Sequence, residues 1–286
     1  MTGVAMIKLA LSDMDNTLIP FGQDRVSDSV FEAVSLVREA GLRFGPATGR
    51  DEQELRRFFG GDESCFETGI LSNGKKVKLD GELVAVHYMD KEALQRLADA
   101  FFAVPGVFLC AYPAKTDHSN PVYVLGARTA EMAAYESRLR FNGILCEQLP
   151  DIDFIASAIA CDGPDENMGY VRRIAARLAP EFDIVAPITH WFDVLPKGVS
   201  KASGLDELIA AMGISDDEVA FFGDGENDVK MMERVPNSVA VANAMPVAAE
   251  TARWHVGACL DDGVPEALRE LAQVAGTDEP ASFMRA

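Results

Sequence analysis

The sequence lacks any apolar run long enough to cross a membrane, and its start shows no signal-peptide pattern. Residues 1–11 include a short apolar stretch that runs directly into acidic residues. We therefore interpret this stretch as a buried strand and expect no membrane partner. The sequence also shows no internal repeats.

Basic residues are scarce. Lysine and arginine together number 26, against 45 aspartates and glutamates, which gives a formal net charge of −19. Binding to nucleic acids or to anionic membranes requires a basic patch on the protein surface, so neither is expected as a partner. A small anionic substrate remains compatible with this charge, because local cations decide its binding and distant charges are screened within roughly 8–10 Å.

Cysteine is present but shows no paired spacing. An odd number of widely scattered thiols fits a reduced, cytoplasmic protein and excludes both a disulfide framework and a zinc site. We therefore expect a cytoplasmic location. The five cysteines are Cys65, Cys110, Cys146, Cys161 and Cys259.

The first motif with chemical content follows an apolar run at residues 6–11. Residues two apart in a strand point the same way, so Asp13 and Asp15 would leave the strand's carboxyl end together. Two adjacent carboxylates stay ionised only beside a cation, and such oxygen ligands suit Mg²⁺. The simpler alternative is a turn that also caps a helix, since aspartate favours both.

The order of predicted elements indicates two domains. The strand at 6–11, a crossover helix after Ser27 and a strand at 42–47 form the unit that builds parallel sheets, and a short helix follows from Asp51. The middle of the chain instead mixes helices with paired strands, as in α+β domains. We predict an α/β fold with a Rossmann-like parallel-sheet core (three-layer α/β/α) in residues 1–87 and 197–286, and an inserted α+β domain in residues 88–196.

Local patterns predict several further elements. Asp80-Gly81 between two alternating runs indicates a hairpin. The pattern predicts a helix through Met132, Tyr135 and Leu139 in the insert, and a last strand near 255–260. Residues 276–286 are expected to fray.

A second acidic cluster, Gly223 to Asp228, follows another buried apolar run. Asp224 would face the same edge of the sheet, and Asp228 would lie on the same side if a helix starts there. A solvated turn is again the alternative, but it must now explain two such clusters. If the two strands are neighbours, Asp13, Asp15 and Asp224 converge on one Mg²⁺.

Two short segments between these acidic clusters in the sequence could bind phosphate. Thr48-Gly49 offers a hydroxyl and a backbone N–H near a helix N-terminus, and Lys201 offers a compact cation. Taken alone, Thr48 is better explained as a helix cap and Lys201 as a solvated surface lysine. Their order and context favour the phosphate interpretation.

These residues resemble motifs I to IV of the haloacid dehalogenase superfamily. The matching segments are Asp13-x-Asp15-x-Thr17, Thr48-Gly49-Arg50, Lys201 and Gly223-Asp224-x-x-Asn227-Asp228. The insert between the second and third motifs resembles that of Cof-type (IIB) phosphatases. One departure is Asn16, where glycine is common; asparagine tolerates left-handed backbone angles, so the motif is little affected.

The resemblance implies a role for each matching residue. Asp13 would be the nucleophile that forms an aspartyl-phosphate, and Asp15 would act first as general acid and then as general base. Mg²⁺ would be bound by a carboxylate oxygen of Asp13, the backbone carbonyl of Asp15, Asp224 and Asp228, the last directly or through water. Phosphoryl oxygens would be bound by Thr48, Gly49, Lys201 and Asn227.

By the same resemblance, the insert would be a cap that excludes water and sets the substrate. Its histidines are candidate specificity residues, although a lone histidine is more often structural. Core packing is the better interpretation of Trp191 and Phe192, and a solvated surface that of Lys115 and Arg128. The histidines considered are His87, His118 and His190.

The expected function is that of a cytoplasmic Mg²⁺-dependent phosphatase acting on a small phosphorylated metabolite, with a sugar phosphate favoured. A phosphomutase on the same core is an alternative, as is a catalytically silent metabolite-binding or regulatory module. The silent module should have lost a motif residue, and none is lost. A dehalogenase needs no Mg²⁺ site, so the acidic set disfavours it. The sequence gives no indication of oligomeric state.

Overall fold

The structure, a computed structural model, describes residues 6–114, 121–126, 142–161, 166–277 and 279–285. The chain divides into two compact units, one formed by residues 1–86 with 200–286 and the other by residues 87–199. Several predictions lie outside the described residues, namely the helix through residues 132–139 and the side chains of Lys115, His118 and Arg128.

The strands are numbered in chain order. They are β1 (Leu9–Ser12), β2 (Arg43–Pro46), β3 (Gly69–Leu71), β4 (Lys76–Leu79), β5 (Glu82–Val86), β6 (Val107–Pro113), β7 (Pro121–Leu125), β8 (Asn142–Leu145), β9 (Phe154–Cys161), β10 (Phe182–Ile188), β11 (Trp191–Pro196), β12 (Val219–Gly223), β13 (Asn237–Val241) and β14 (Trp254–Val256).

The α-helices of the described residues are numbered likewise. They are α1 (Asp28–Glu39), α2 (Glu52–Phe58), α3 (Lys91–Phe101), α4 (Glu166–Leu178), α5 (Lys201–Met212), α6 (Val229–Arg234), α7 (Pro246–Thr251) and α8 (Gly263–Val274). Within the described part of the chain, none of the helices is both long and apolar enough to span a membrane.

The first unit is built on a parallel sheet with the strand order β14-β13-β12-β1-β2. Every residue of β1 and β12 is buried, which explains their nearly continuous apolar sequences. Residues of α1 and α8 pack on one face of this sheet, and residues of α5, α6 and α7 pack on the other. The predicted α/β fold with a parallel, three-layer core is therefore confirmed.

A small antiparallel sheet, β3-β4-β5, extends the first unit beside β2. The predicted hairpin at Asp80-Gly81 joins β4 to β5, with left-handed φ angles of 52° and 89°. A parallel bridge between Ala47 and Ile70 joins the end of β2 to β3. This bridge brings the segment that follows β3 alongside the turn that follows β2.

The second unit contains a six-stranded sheet in the order β10-β11-β9-β6-β7-β8. Its described pairings are antiparallel except that of β7 with β8. Apolar residues of α3 and α4 pack on this sheet. The sequence did not predict β8, because Asn142–Leu145 is short, mostly exposed and begins with two strand-disfavouring residues.

The last predicted strand is present but shorter than expected, and the expected fraying of the tail is wrong. The last strand ends at Val256, because the chain turns at Cys259–Asp261 instead of continuing extended to 260. The tail does not fray over its described residues. Met284 is buried in the core, the Phe283 ring lies 6.2 Å from that of Phe222, and further contacts come from Ala281, which is buried, and Ser282, which donates to Glu270.

Candidate active site

The two acidic motifs meet at the carboxyl edge of the parallel sheet. Strands β1 and β12 are paired neighbours, and the Asp13 N–H donates to the Phe222 carbonyl at 2.9 Å. Asp13 and Asp224 therefore leave adjacent strand ends. Carboxylate oxygens of Asp13, Asp224 and Asp228 lie within 4.8 Å of one another.

Lys201 lies inside this cluster. Its Nζ donates to Asp13 Oδ1 and to Asp228 Oδ1, each at 2.7 Å, and all three side chains are buried. Burial alone would lower the pKa of Lys201, but the two carboxylates more than offset this and hold it above its usual value. The surface-lysine interpretation of Lys201 is therefore wrong, and the residue is a buried cation at the start of α5.

Asp228 shapes the second acidic loop. Its Oδ2 accepts hydrogen bonds from the N–H groups of Asp224 and Gly225, each at 3.1 Å. A Cβ on Gly223 would lie 2.7 Å from that same carboxylate oxygen, so the close approach requires glycine. Both Asp228 oxygens are thus engaged by the protein, which suits an orienting role and water-mediated contact with an ion.

Asp224 is half-buried and held by Thr17. The Thr17 hydroxyl donates to Asp224 Oδ1 at 2.9 Å. Among the described residues, no side chain donates to Oδ2 of Asp224 or to Oδ2 of Asp13. The Met14 backbone N–H is a further donor to the Asp13 carboxylate.

The cluster fits a divalent cation. Three carboxylates and one ammonium leave two negative charges in a largely buried site. Burial raises the pKa of Asp13 to about 7 against the opposing effect of Lys201, and burial also raises the pKa of Asp224. A cation beside them would restore the ionised forms, and an all-oxygen donor set suits Mg²⁺.

The Asp15 carboxylate turns away from this cluster. Arg50 Nε and Nη2 each donate to it at 2.9 Å, and Arg50 Nη1 donates to Glu54 at 2.6 Å. Hydrogen bonding to Asp15 raises the pKa of Arg50 above its usual value, so the guanidinium stays charged. The sequence showed Arg50 in its motif but did not reveal this partner, which lies 35 residues away.

Replacing Arg50 with lysine is expected to lower kcat about 10- to 100-fold with a smaller effect on KM. Lysine cannot hold both oxygens of Asp15 at once, and small errors in the position of a catalytic group have effects of this order. Steady-state kinetics of Arg50→Lys would test this. Arg57→Lys is the control expected to match the wild type, because Arg57 lies on α2, shortly after Arg50, and among the described residues it forms an ion pair only with Asp24, at 3.8 Å. Equal kcat for both variants would contradict a positioning role.

The three remaining phosphate candidates occupy different environments. Thr48 is buried at the end of β2, and its hydroxyl accepts the Arg50 N–H at 3.1 Å. The next helix is capped by Asp51 and not by Thr48, so the helix-cap interpretation of Thr48 is wrong. Gly49 is exposed, and Asn227 is exposed in the turn that precedes α6.

Asn243 is a site residue that sequence reasoning missed. Its amide donates to the Asn16 carbonyl at 2.8 Å, and its Oδ1 accepts the Cys259 N–H at 2.7 Å. It thereby joins the loops that follow β1, β13 and β14. Asn16 has a φ of 58°, the left-handed angle that asparagine was expected to tolerate. No sequence pattern around Asn243 indicated this link.

In the second unit, the described candidate side chains have structural partners. His190 Nδ1 lies 2.8 Å from the Cys161 carbonyl, and Phe192 is fully buried. Trp191 is half-buried, and its Nε1 donates to Asp193 at 3.1 Å. These contacts support the core interpretation of the Trp191–Phe192 pair.

Fold and site together define a class. A parallel-sheet α/β core carries a buried cluster of three aspartates and a lysine at its carboxyl edge, the arrangement expected of a hydrolase that handles a charged group. The sequence model of the haloacid dehalogenase-like hydrolase family matches residues 10–268 of this chain. The chain belongs to this family, and the predicted phosphatase class of Cof (IIB) type is confirmed.

Relatives and solved structures agree with this assignment. The 5-amino-6-(5-phospho-D-ribitylamino)uracil phosphatase YbjI of Escherichia coli is 25% identical over 266 residues, which is 92% of this chain and 95% of YbjI. The HAD subclass IIB sugar phosphatase BT4131 shares 23% identity and a TM-score of 0.69, with 92% of this chain and 98% of that chain covered. BT1666 of Bacteroides thetaiotaomicron shares 21% identity and a TM-score of 0.73, covering 93% and 95%. The two structures show the shared fold.

Proposed function

We propose that this protein is a Mg²⁺-dependent phosphomonoesterase for small phosphorylated metabolites, with sugar phosphates as the favoured class. One observation carries the proposal. Lys201 lies between Asp13 and Asp228, and Asp224 completes a compact cluster with two uncompensated negative charges. Such a cluster can bind a divalent ion and present a carboxylate to a phosphoryl group.

In the first half of the reaction, an oxygen of Asp13 attacks phosphorus while the bond from phosphorus to the ester oxygen breaks. Asp15 donates a proton to the departing alcohol. In the structure Arg50 holds the Asp15 carboxylate apart from the cluster by two hydrogen bonds, and Asp15 would take up a proton from solvent before it serves the ester oxygen as an acid. The product of this half is an aspartyl-phosphate on Asp13.

In the second half, water attacks the same phosphorus and the bond to Asp13 breaks. Asp15 now accepts the water proton, which returns it to its starting state. Lys201 stays bonded to the Asp13 carboxylate and offsets its charge. Inorganic phosphate leaves, and Asp13 is restored.

The Oδ2 atoms of Asp13 and Asp224, together with the Asp15 carbonyl, are the groups that would bind Mg²⁺, while Asp228 orients the loop beside them. When bound, the ion neutralises charge on the phosphoryl oxygens. The protein's own donors for those oxygens would be the Thr48 hydroxyl, the Gly49 N–H, Lys201 and Asn227.

Residues 88–196, which lie in the second unit, would form a cap domain that sets the substrate. The proteins named above support the substrate class, since YbjI is named for a ribityl phosphate and BT4131 is named a sugar phosphatase. Because both names refer to a phosphorylated sugar or sugar-alcohol group, we favour sugar phosphates as the substrate class.

Removing divalent ions with EDTA is expected to lower turnover at least about 100-fold, because the phosphoryl charge then lacks its main counter-charge. Addition of MgCl₂ should restore it. The assay is phosphate release over a panel of phosphorylated metabolites, with EDTA presaturated with Mg²⁺ as the control. Full activity in EDTA would contradict the proposal, and an isomerised product without released phosphate would indicate a phosphomutase instead.

A further inference from the structure

The turn at residues 72–74 has an unusual backbone. Ser72, Asn73 and Gly74 have φ angles of 51°, 58° and 91°, so three successive residues are left-handed. Only glycine adopts such angles freely, and runs of them are disfavoured. Conformations of this kind persist where the surrounding structure fixes them, often next to a functional site.

The turn is fixed on one side by the Thr48–Arg50 segment. The Ser72 N–H donates to the Arg50 carbonyl and the Asn73 N–H donates to the Thr48 carbonyl, each at 2.9 Å. These bonds continue the contact between β2 and β3 past the end of both strands. The turn therefore runs directly alongside the proposed phosphate-binding residues.

On the other side, the turn packs against the start of α5. A Cβ on Gly74 would lie 2.1 Å from the Ser200 carbonyl oxygen, so only glycine permits this approach. Ser200 caps the helix that begins with Lys201. The turn thus touches both chain segments to which phosphate binding is assigned.

The Asn73 side chain lies beside Gly49. A Cβ placed on Gly49 would be 3.2 Å from Asn73 Nδ2 and 3.3 Å from Asn73 Oδ1. Asn73 is half-buried, and its amide makes no hydrogen bond to the described residues. An uncommitted donor therefore lies next to an exposed glycine whose N–H is one of the proposed phosphoryl ligands.

We propose that the Asn73 amide donates a hydrogen bond to the phosphoryl group bound at Gly49 and Lys201, an inference that rests on the proposed function. The simpler alternative is that asparagine is present only because it tolerates a left-handed φ. The two explanations differ in what glycine would do at this position. Glycine keeps the backbone angle and removes the amide.

The test is binding of inorganic phosphate in the presence of MgCl₂, measured by isothermal titration calorimetry. Asn73→Gly is expected to weaken phosphate binding about 10-fold or more, the usual loss for a hydrogen bond to a charged group. Asn73→Asp keeps the shape but places a negative charge beside the anion, so it should weaken binding further. Ser72→Gly, a side-chain deletion in the same turn, is the matched control and should stay within about twofold of the wild type.

Kinetics with a phosphomonoester would separate this role from a structural one. If Asn73 binds the phosphoryl group, the inhibition constant of inorganic phosphate should rise in Asn73→Gly and Asn73→Asp. The unfolding midpoints of both variants should stay close to that of Ser72→Gly. Wild-type phosphate affinity in both Asn73 variants, with turnover intact, would overturn this inference and leave the phosphatase proposal standing. Equal losses in Ser72→Gly and Asn73→Gly would also overturn it, because they would trace the effect to the backbone. A wild-type protein that neither binds phosphate nor releases it would overturn both proposals.

Discussion

Replacing Asp13 with asparagine should lower kcat by at least about 10⁴-fold, the loss typical of a removed nucleophile. The amide is close in shape to the carboxylate but cannot attack phosphorus to form the covalent intermediate. It also provides one anionic oxygen fewer for a divalent ion. The measurement is phosphate release under saturating substrate and Mg²⁺, supported by a search for phosphorylated protein after rapid quenching.

The same variant should remain folded. Burial raises the pKa of Asp13, which shows that the site disfavours the charge that asparagine removes. Lys201 keeps Asp228 as its second partner. The control is Asp62→Asn, because Asp62 caps a surface turn by accepting the Ser64 N–H and asparagine can do the same. Turnover by Asp13→Asn at the wild-type rate would contradict the assigned nucleophile.

Replacing Lys201 with methionine should lower the free energy of unfolding by about 3–5 kcal/mol, the cost of breaking a buried ion pair from one side. Asp13 and Asp228 would then both be buried without their shared cation. Urea unfolding of the variant would measure this. Lys8→Met is the matched control, because Lys8 pairs with Glu218 at the surface and such pairs contribute only about 0–1 kcal/mol.

A double variant gives a sharper version of this test. If the loss in Lys201→Met comes from uncompensated carboxylates, adding Asp13→Asn should recover part of it, since one buried charge is then removed. Strictly additive losses would contradict this account and would point to lost packing of the lysine stem. Turnover of the single variant should also fall, because Lys201 is one of the proposed phosphoryl ligands.

The acidic cluster could be predicted from the sequence because its causes are local and topological. Asp13 and Asp224 each follow a short buried apolar run, and the carboxyl ends of parallel strands meet at one edge. The Asp80-Gly81 hairpin was predicted for a similar reason, since the dipeptide itself favours the turn. These features need no knowledge of distant contacts.

The side-chain partners could not be predicted in this way. Lys201 and Asp13 are 188 residues apart, and nothing near Lys201 in the sequence marks it as buried. The Asn243 link depends on where three separate loops end. The C-terminal tail shows the same limit, because its polar local composition suggested fraying while Met284 packs in a core assembled from distant segments.

The discontinuity of the first unit has a consequence during biosynthesis. Strand β1 leaves the ribosome early, but its neighbour β12 follows some two hundred residues later, since Leu9 pairs with Val219. At about 5–20 residues per second, that pairing waits roughly 10–40 s. The inserted segment has this interval to fold while one edge of β1 is still unpaired, so the carboxylates of the acidic cluster come together only after the whole insert has been synthesised.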